Sequence, residues 1–392
     1  MIKLKFGSFL IAFAIVLFTL DFPITGGLTT SRIAFVVLLS SYLILGSNKK
    51  FNSHSSKYRL IFVSMIFSII STALSSLYYM EDFSSLITWV FSFISILIIT
   101  INCMDSKVYD YILRYSFYLI VILVTVIFLF SLMKFGFYAN QSFVMRYNID
   151  DFGPGLSRIV NGLVFMKILM FLFVYREQRA IIALISIITL LMTVWFIFST
   201  HSRQGLILLT LIALAILIIY VEIAKHKKIL VLLSLIAFSY NIQTILSNQT
   251  LQDRFIKRTV NQLDSGEGST VERIYFFNQG IEFFQKNIFV GIGPKNYTKI
   301  VGLDAHGGYI LEISETGVLA FFGILVFFVF VIRKIFNGFR EKKTIALSII
   351  LLVIALSPFF NSIYNSPMFW IITLLVTISA ARSVQRTQQL IS

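Results

Sequence analysis

Apolar windows of about 20 residues recur along this chain, and they constrain its fold more than any other feature, because a helix of that length matches the hydrocarbon core of a bilayer. The windows lie near 7–24, 31–46, 60–80, 86–104, 112–133, 156–175, 180–198, 205–224, 228–246, 310–332, 344–361 and 367–381. Within hydrocarbon every backbone N–H and C=O must be satisfied inside the protein, and the short alternating strands of a closed barrel are missing, so each window reads as a helix. The expected fold class is all-α: a polytopic membrane protein with about twelve transmembrane helices. Composition agrees, since only 13% of residues are charged against about 25% in soluble proteins. The division into soluble-sized domains that length alone would suggest does not apply, and one membrane domain over residues 1–392 is expected.

Met1-Ile2-Lys3-Leu4-Lys5 followed by an apolar run resembles a signal peptide. The run continues to about Leu20 with no small-x-small cleavage site and more spans follow, so it is expected to be retained as the first span. The formal charge of +15 does not indicate nucleic acid, because the cations fall in short clusters between apolar runs rather than along one polar face. They set orientation. Lys3 and Lys5, then Lys49, Lys50, Lys57 and Arg59, then Lys107 and Arg114, Arg176 and Arg179, Lys225, Lys227 and Lys228, then Arg333 to Lys343, and finally Arg382 and Arg386, fall between alternate spans. Lysine and arginine are retained on the cytoplasmic side, so both termini are expected there. Cys103 is the only cysteine, which excludes an intrachain disulfide. Lys167 is the clearest charge within a span, and it is expected to snorkel to the cytoplasmic end.

By the same alternation, the one long polar interval, residues 247–311, lies outside the cytoplasm. Apolar residues near 251, 255, 256, 260 and 263 have helical spacing with a basic opposite face, the pattern of a helix on the membrane surface. Ser269 followed by Glu272 is a capping box and predicts a second helix, with Ile274, Phe277, Ile281 and Phe284 on one face. Arg273 falls in its first turn, where a cation opposes the helix dipole, so it is there for a salt bridge or an anion. Gly291-Ile292-Gly293-Pro294 ends that helix. No strand precedes it and Pro294 removes a donor, so it reads as a turn rather than a phosphate loop.

Of the four histidines, His54 and His226 fall in cytoplasmic loops and His201 and His306 outside. No His or Cys spacing suits zinc, and no Gly-x-Ser-x-Gly is present, so neither a metal nor another cofactor is expected. What remains at the outer face is histidine with arginine. Histidine can take a proton from a hydroxyl, and arginine presents a rigid fork of donors to phosphate oxygens. Together they suit transfer from a diphosphate-activated donor. Each also has a plainer reading: His306 as a structural hydrogen-bond partner, Arg203 as an interface anchor. Tyr275, Tyr297 and Tyr309 could stack on sugars or sit at the interface.

Ser202-Arg203-Gln204-Gly205 opening an apolar helix, Arg273 at the start of an amphipathic helix, Gly291 to Tyr297, and His306 with Tyr309, Leu311, Glu315 and Gly317 occur in an order that resembles the O-antigen polymerase and O-antigen ligase superfamily. The resemblance spans roughly residues 140 to 330. It implies a metal-independent membrane glycosyltransferase of the bacterial inner membrane, acting at the periplasmic face through segment 247–311. The donor it implies is a glycan on undecaprenyl diphosphate, the acceptor a sugar hydroxyl, and a chain-length regulator is a candidate partner. By resemblance His306 is the general base, with Arg203 beside it in catalysis. Arg203 and Arg273 hold the diphosphate, as do Arg146 and Arg158 by a looser match, and Glu315 and Tyr309 support the site. Ligases resemble one another in a histidine followed by Asn, Ser or Gln, then a glycine ten residues later and a closing Gly, Thr or Tyr. Here Gly317 fits, but Gly307 follows His306 and Ala320 closes the run, which favours polymerase over ligase.

Two readings from other classes stand beside these. A transporter of lipid-linked glycans would need functional charges within spans and no general base. A structural membrane partner would need neither.

Overall fold

The computed structural model describes residues 2–20, 23–25, 28–46, 58–80, 83–135, 156–199, 209, 210, 212, 269–302, 307–340, 344–359 and 363–391. Apart from turns these residues are helical, with one small antiparallel pairing, β1 (Pro23–Thr25) with β2 (Leu28–Thr29). The helices are α1 (Ile2–Leu20), α2 (Thr30–Leu45), α3 (Arg59–Tyr79), α4 (Ser84–Cys103), α5 (Ser106–Phe135), α6 (Leu156–Glu177) and α7 (Ala180–Ser199). After the gap come α8 (Ser269–Lys286), α9 (Asn296–Val301), α10 (Gly308–Thr316), α11 (Val318–Arg340), α12 (Ile345–Leu356) and α13 (Pro367–Ile391). Seven described helices, α1, α3, α4, α5, α6, α7 and α11, are long and apolar enough to cross a membrane, while α2, α12 and α13 offer shorter apolar stretches. The windows at 205–224 and 228–246, and the expected surface helix over 251–263, lie outside the described residues, apart from residues 209, 210 and 212.

The chain divides into two compact units, Met1–Ile44 with Ser106–Ser265, and Leu45–Asp105 with Gly266–Ser392. In the first, α6 is enclosed nearly all round, with an unbroken buried run from Asn161 to Val174. It approaches α1 closely at Gly162, where a Cβ would lie 2.0 Å from Thr19 O. That enclosure corrects the expectation for Lys167. Its side chain is 2% exposed and Nζ donates to Thr189 O of α7 at 2.9 Å. A lysine snorkels only where its stem can follow an open helix face to water; at mid-helix inside a packed unit it takes the nearest carbonyl instead. At one end of the same unit Arg176 pairs with Asp110 at 2.8 Å, and Arg114 and Arg179 pair with Glu177 at 3.2 and 3.4 Å. Three arginines that the alternation assigned to one side thus share one ion-pair cluster.

The second unit is built around the contact of α3 with α11. Lipid is as apolar as leucine, so helices in a membrane associate through small residues and side-chain hydrogen bonds rather than through hydrophobic burial. Ser64, Ser68, Ser71 and Ser75 follow helical spacing along α3 and are all buried. Ser64 Oγ donates to Gly323 O at 2.7 Å, and Gly323 lets the backbones meet, since a Cβ there would lie 2.9 Å from Ser64 O. The opposite faces expose Ile66, Ile70 and Leu74 on α3 and Leu325, Val329, Ile332 and Phe336 on α11. Such rows would promote aggregation in water and are the expected lipid-facing surface of spanning helices.

The expected span over 310–332 is corrected. It is two helices, α10 and α11, parted at Gly317, whose φ is 89°. A side chain at that position would meet Phe289 O at 2.5 Å. Hydropathy does not register such a break, because both helices are apolar and only tertiary contact defines the corner.

Candidate active site

Three helices of the second unit flank His306 in the chain, α8 and α9 before it and α10 after it. α8 starts at Ser269, where the sequence predicts it. Its packed face, however, is not the Ile274, Phe277, Ile281 and Phe284 stripe. Phe276 and Gly280 are buried and Phe283 packs against them with Tyr297, whereas Ile274 is 53% and Phe277 42% exposed. Gly280 admits α10, since a Cβ there would lie 2.2 Å from Ile310 Cγ2. An apolar stripe marks a face that avoids water, and lipid satisfies that as well as protein does.

Between α8 and α9 the Gly291-Ile292-Gly293-Pro294 turn docks on the C-terminal end of α10. The last carbonyls of a helix have no partner within it. Here Ile292 N donates to Ser314 O at 2.9 Å and Gly293 N to Glu315 O at 3.0 Å. Ser75 Oγ donates to Glu315 O at 2.9 Å and Ser71 Oγ to Thr316 O at 2.7 Å. Tyr79 Oη donates to Gly291 O at 2.8 Å. The N–H groups of Ile292 and Gly293 are thus committed to a helix end, which accords with a turn and not with a phosphate cradle. Gly291 (φ 68°) and Gly293 (φ 97°) hold conformations that other residues rarely adopt. Val318 N donates to Ile288 O at 2.7 Å, so this turn lies level with the first residue of the spanning helix α11. Phe289, 80% exposed, stands at that level.

Glu315 and Tyr309 support this frame from within. The Glu315 carboxylate accepts from Tyr297 N at 3.2 Å, at the start of α9. Tyr309 is buried, donates to Ala355 O at 2.8 Å, and packs on Phe328, Phe359 and Tyr364. Tyr297 is fully buried and donates to Phe276 O at 2.6 Å. Of the three tyrosines weighed as sugar-stacking groups, Tyr297 and Tyr309 are therefore core residues and Tyr275 alone is exposed.

His306 itself lies outside the described residues, as do Arg203 and Arg146. The described residues on either side of it in the chain are Gly302, just after α9, and Gly307, buried at the start of α10. The backbone of Arg273 lies in the first turn of α8, in the same unit as these flanks. Arg158 lies in the first turn of α6, in the other unit. Among the described residues no three His, Cys, Asp or Glu gather as a metal site.

One residue of this frame escaped the sequence reading. Glu312, on α10 and 8% exposed, accepts from Trp89 Nε1 of α4 at 3.0 Å. Burial first and the Glu315 carboxylate second push its carboxyl up to about 8, against the opposing pull of the Trp89 and Thr72 contacts. The signal was legible, because a carboxyl inside an apolar window carries a functional presumption of its own.

Taken together, long apolar helices with lipid-facing rows, and a polar helical frame set at the end of a spanning helix, define the class: a polytopic α-helical integral membrane protein. Residues 187–309 match the family model described as O-Antigen ligase, which supports a likeness of this stretch to the O-antigen polymerase and ligase superfamily. No curated protein matches the chain.

Proposed function

We propose that this protein is an O-antigen polymerase, transferring a glycan from undecaprenyl diphosphate onto a sugar hydroxyl of another lipid-linked repeat unit at the periplasmic face of the inner membrane. The observation that carries the reading is the family match over residues 187–309, which contains Arg203, Arg273 and His306 together. The frame of α8, α9 and α10 supports it, with the glycine turn and the C-terminal end of α10 set beside the start of a spanning helix.

In this reaction the acceptor oxygen attacks the anomeric carbon and loses its proton to His306. The bond from that carbon to the diphosphate breaks, and its electron pair leaves with undecaprenyl diphosphate. The leaving group is already good, so the protein's task is to neutralise growing negative charge, place the acceptor and accept one proton. Arg203 and Arg273, with Arg158 and Arg146, supply the positive charge without a metal. Arg203→Lys keeps the charge but loses the bidentate fork. It is expected to lower polymerisation by about tenfold or more, the cost of roughly one charge-assisted hydrogen bond. Wild-type turnover of that variant would reduce Arg203 to an anchor.

Deleting the gene distinguishes polymerase from ligase on one gel. The polymerase reading expects core lipopolysaccharide bearing a single repeat unit. Core bearing none, with polymer retained on undecaprenyl diphosphate, would establish the ligase that the family description names.

A further inference from the structure

The surface of α8 is divided three ways. Phe276, Gly280 and Phe283 turn toward α9 and α10. Asn278, Glu282, Gln285 and Lys286 make a polar face, on which Lys286 pairs with Glu282 at 2.6 Å. Bordering both runs the stripe of Ile274, Phe277, Ile281 and Phe284, which recur at three- and four-residue spacing and so share one side. Ile288 and Phe289 extend it past the end of the helix. Ile274, Phe277, Ile288 and Phe289 are all exposed. An apolar patch of this size beside a polar face marks a surface that something other than water covers.

Where the stripe leads identifies the cover. Phe284 meets Phe321 of α11 with ring centroids 6.1 Å apart, and Phe321 heads the exposed row that continues through Leu325, Val329 and Ile332. The bond from Val318 N to Ile288 O sets the end of α8 at the first residue of α11. The stripe thus runs without a break into the lipid-facing row of a spanning helix and joins it at that helix's N-terminal end. Charge gives no reason for a different occupant. Glu272, Arg273, Glu282 and Lys286 cancel along α8, so the helix offers apolar area rather than a field of one sign.

We propose that α8 lies in the boundary layer of the membrane, with Ile274, Phe277 and Phe284 among the upper acyl chains of phospholipid and the face of Glu282 and Lys286 in water. A helix with one apolar and one polar side settles in that layer with its apolar face roughly 5–10 Å deep. Gly280 admits Ile310, and Tyr297 Oη donates to Phe276 O, so α8 carries α9 and α10 with it. Lipid contact then sets the depth at which these helices stand. This holds whether or not the polymerase reading does.

The test uses full-length protein in phosphatidylcholine nanodiscs, with a bimane label on Ile274→Cys or Phe277→Cys and on Gln285→Cys as the polar-face reference. These positions are exposed, so the substitutions leave the packed face of α8 intact. Wild type, whose one cysteine, Cys103, is buried, supplies the labelling blank. Phosphatidylcholine carrying a doxyl group high on its acyl chain is expected to quench the labels at 274 and 277 about threefold or more over the label at 285, and aqueous iodide to show the reverse order. Iodide quenching at 274 or 277 equal to that at 285 would overturn the proposal. So would a label at either position shielded from iodide and from the lipid quencher alike, the result expected if a second copy, another protein or another stretch of this chain covers the stripe.

Discussion

Replacing His306 by alanine is expected to cut polymerisation by about a hundredfold to ten-thousandfold, the range contributed by a positioned general base. Imidazole is the side chain whose proton affinity suits transfer from a hydroxyl near neutral pH, and no other histidine falls in segment 247–311. The frame around it is held by contacts that do not involve His306: Tyr297 on Phe276 O, Glu315 on Tyr297 N, and the glycine turn on α10. The variant is therefore expected to reach the membrane in normal amount. A lipopolysaccharide ladder read beside an immunoblot of membranes checks both. A full ladder from His306→Ala would remove it from the mechanism.

Gly291→Ala is expected to disrupt the frame itself. Its φ of 68° costs a residue with a side chain roughly 1–2 kcal/mol. The new Cβ would also lie 2.3 Å from the Glu315 carbonyl carbon and 2.5 Å from Thr316 N, both backbone atoms that cannot step aside. Relief requires the turn to lift from α10, which breaks the bonds from Ile292 N and Gly293 N and leaves buried groups unpaired at about 1–3 kcal/mol each. A melting temperature lower by about 10 °C follows, with activity lost at temperatures where wild type works. Gly302→Ala is the control. Its φ of 82° carries the same conformational penalty, but nothing lies within 4 Å of the added Cβ. Equal melting temperatures for the two variants would show that the docking of this turn carries no weight.

The helices were legible because hydrocarbon imposes its constraint locally: each span must satisfy its own backbone, so length and hydropathy suffice. The start of α8 was legible for a similar reason, since a capping box acts within one turn. The same local patterns misled where a second body decides the outcome. The stripe of Ile274 and Phe277 named an apolar face of α8 but not its partner, and the structure buries Phe276 and Gly280 instead. The serine row of α3 becomes meaningful only once Gly323 stands opposite it. Of the site residues, Glu315 and Tyr309 came from resemblance, and the structure adds the contacts through which they brace the frame. Glu312 lies in the same apolar window, and only its contact with Trp89, 223 residues away in the chain, shows what it pairs with.

Membrane character and the position of most helices thus followed from the amino-acid sequence, because each depends on the composition of a short stretch in a known solvent. The corner at Gly317, the burial of Lys167, the docking of the glycine turn on α10 and the pairing of Glu312 with Trp89 were decided by tertiary structure alone. Each joins residues distant in the chain, and what a carboxyl, a lysine or a glycine does depends on which backbone and which donors the fold brings against it.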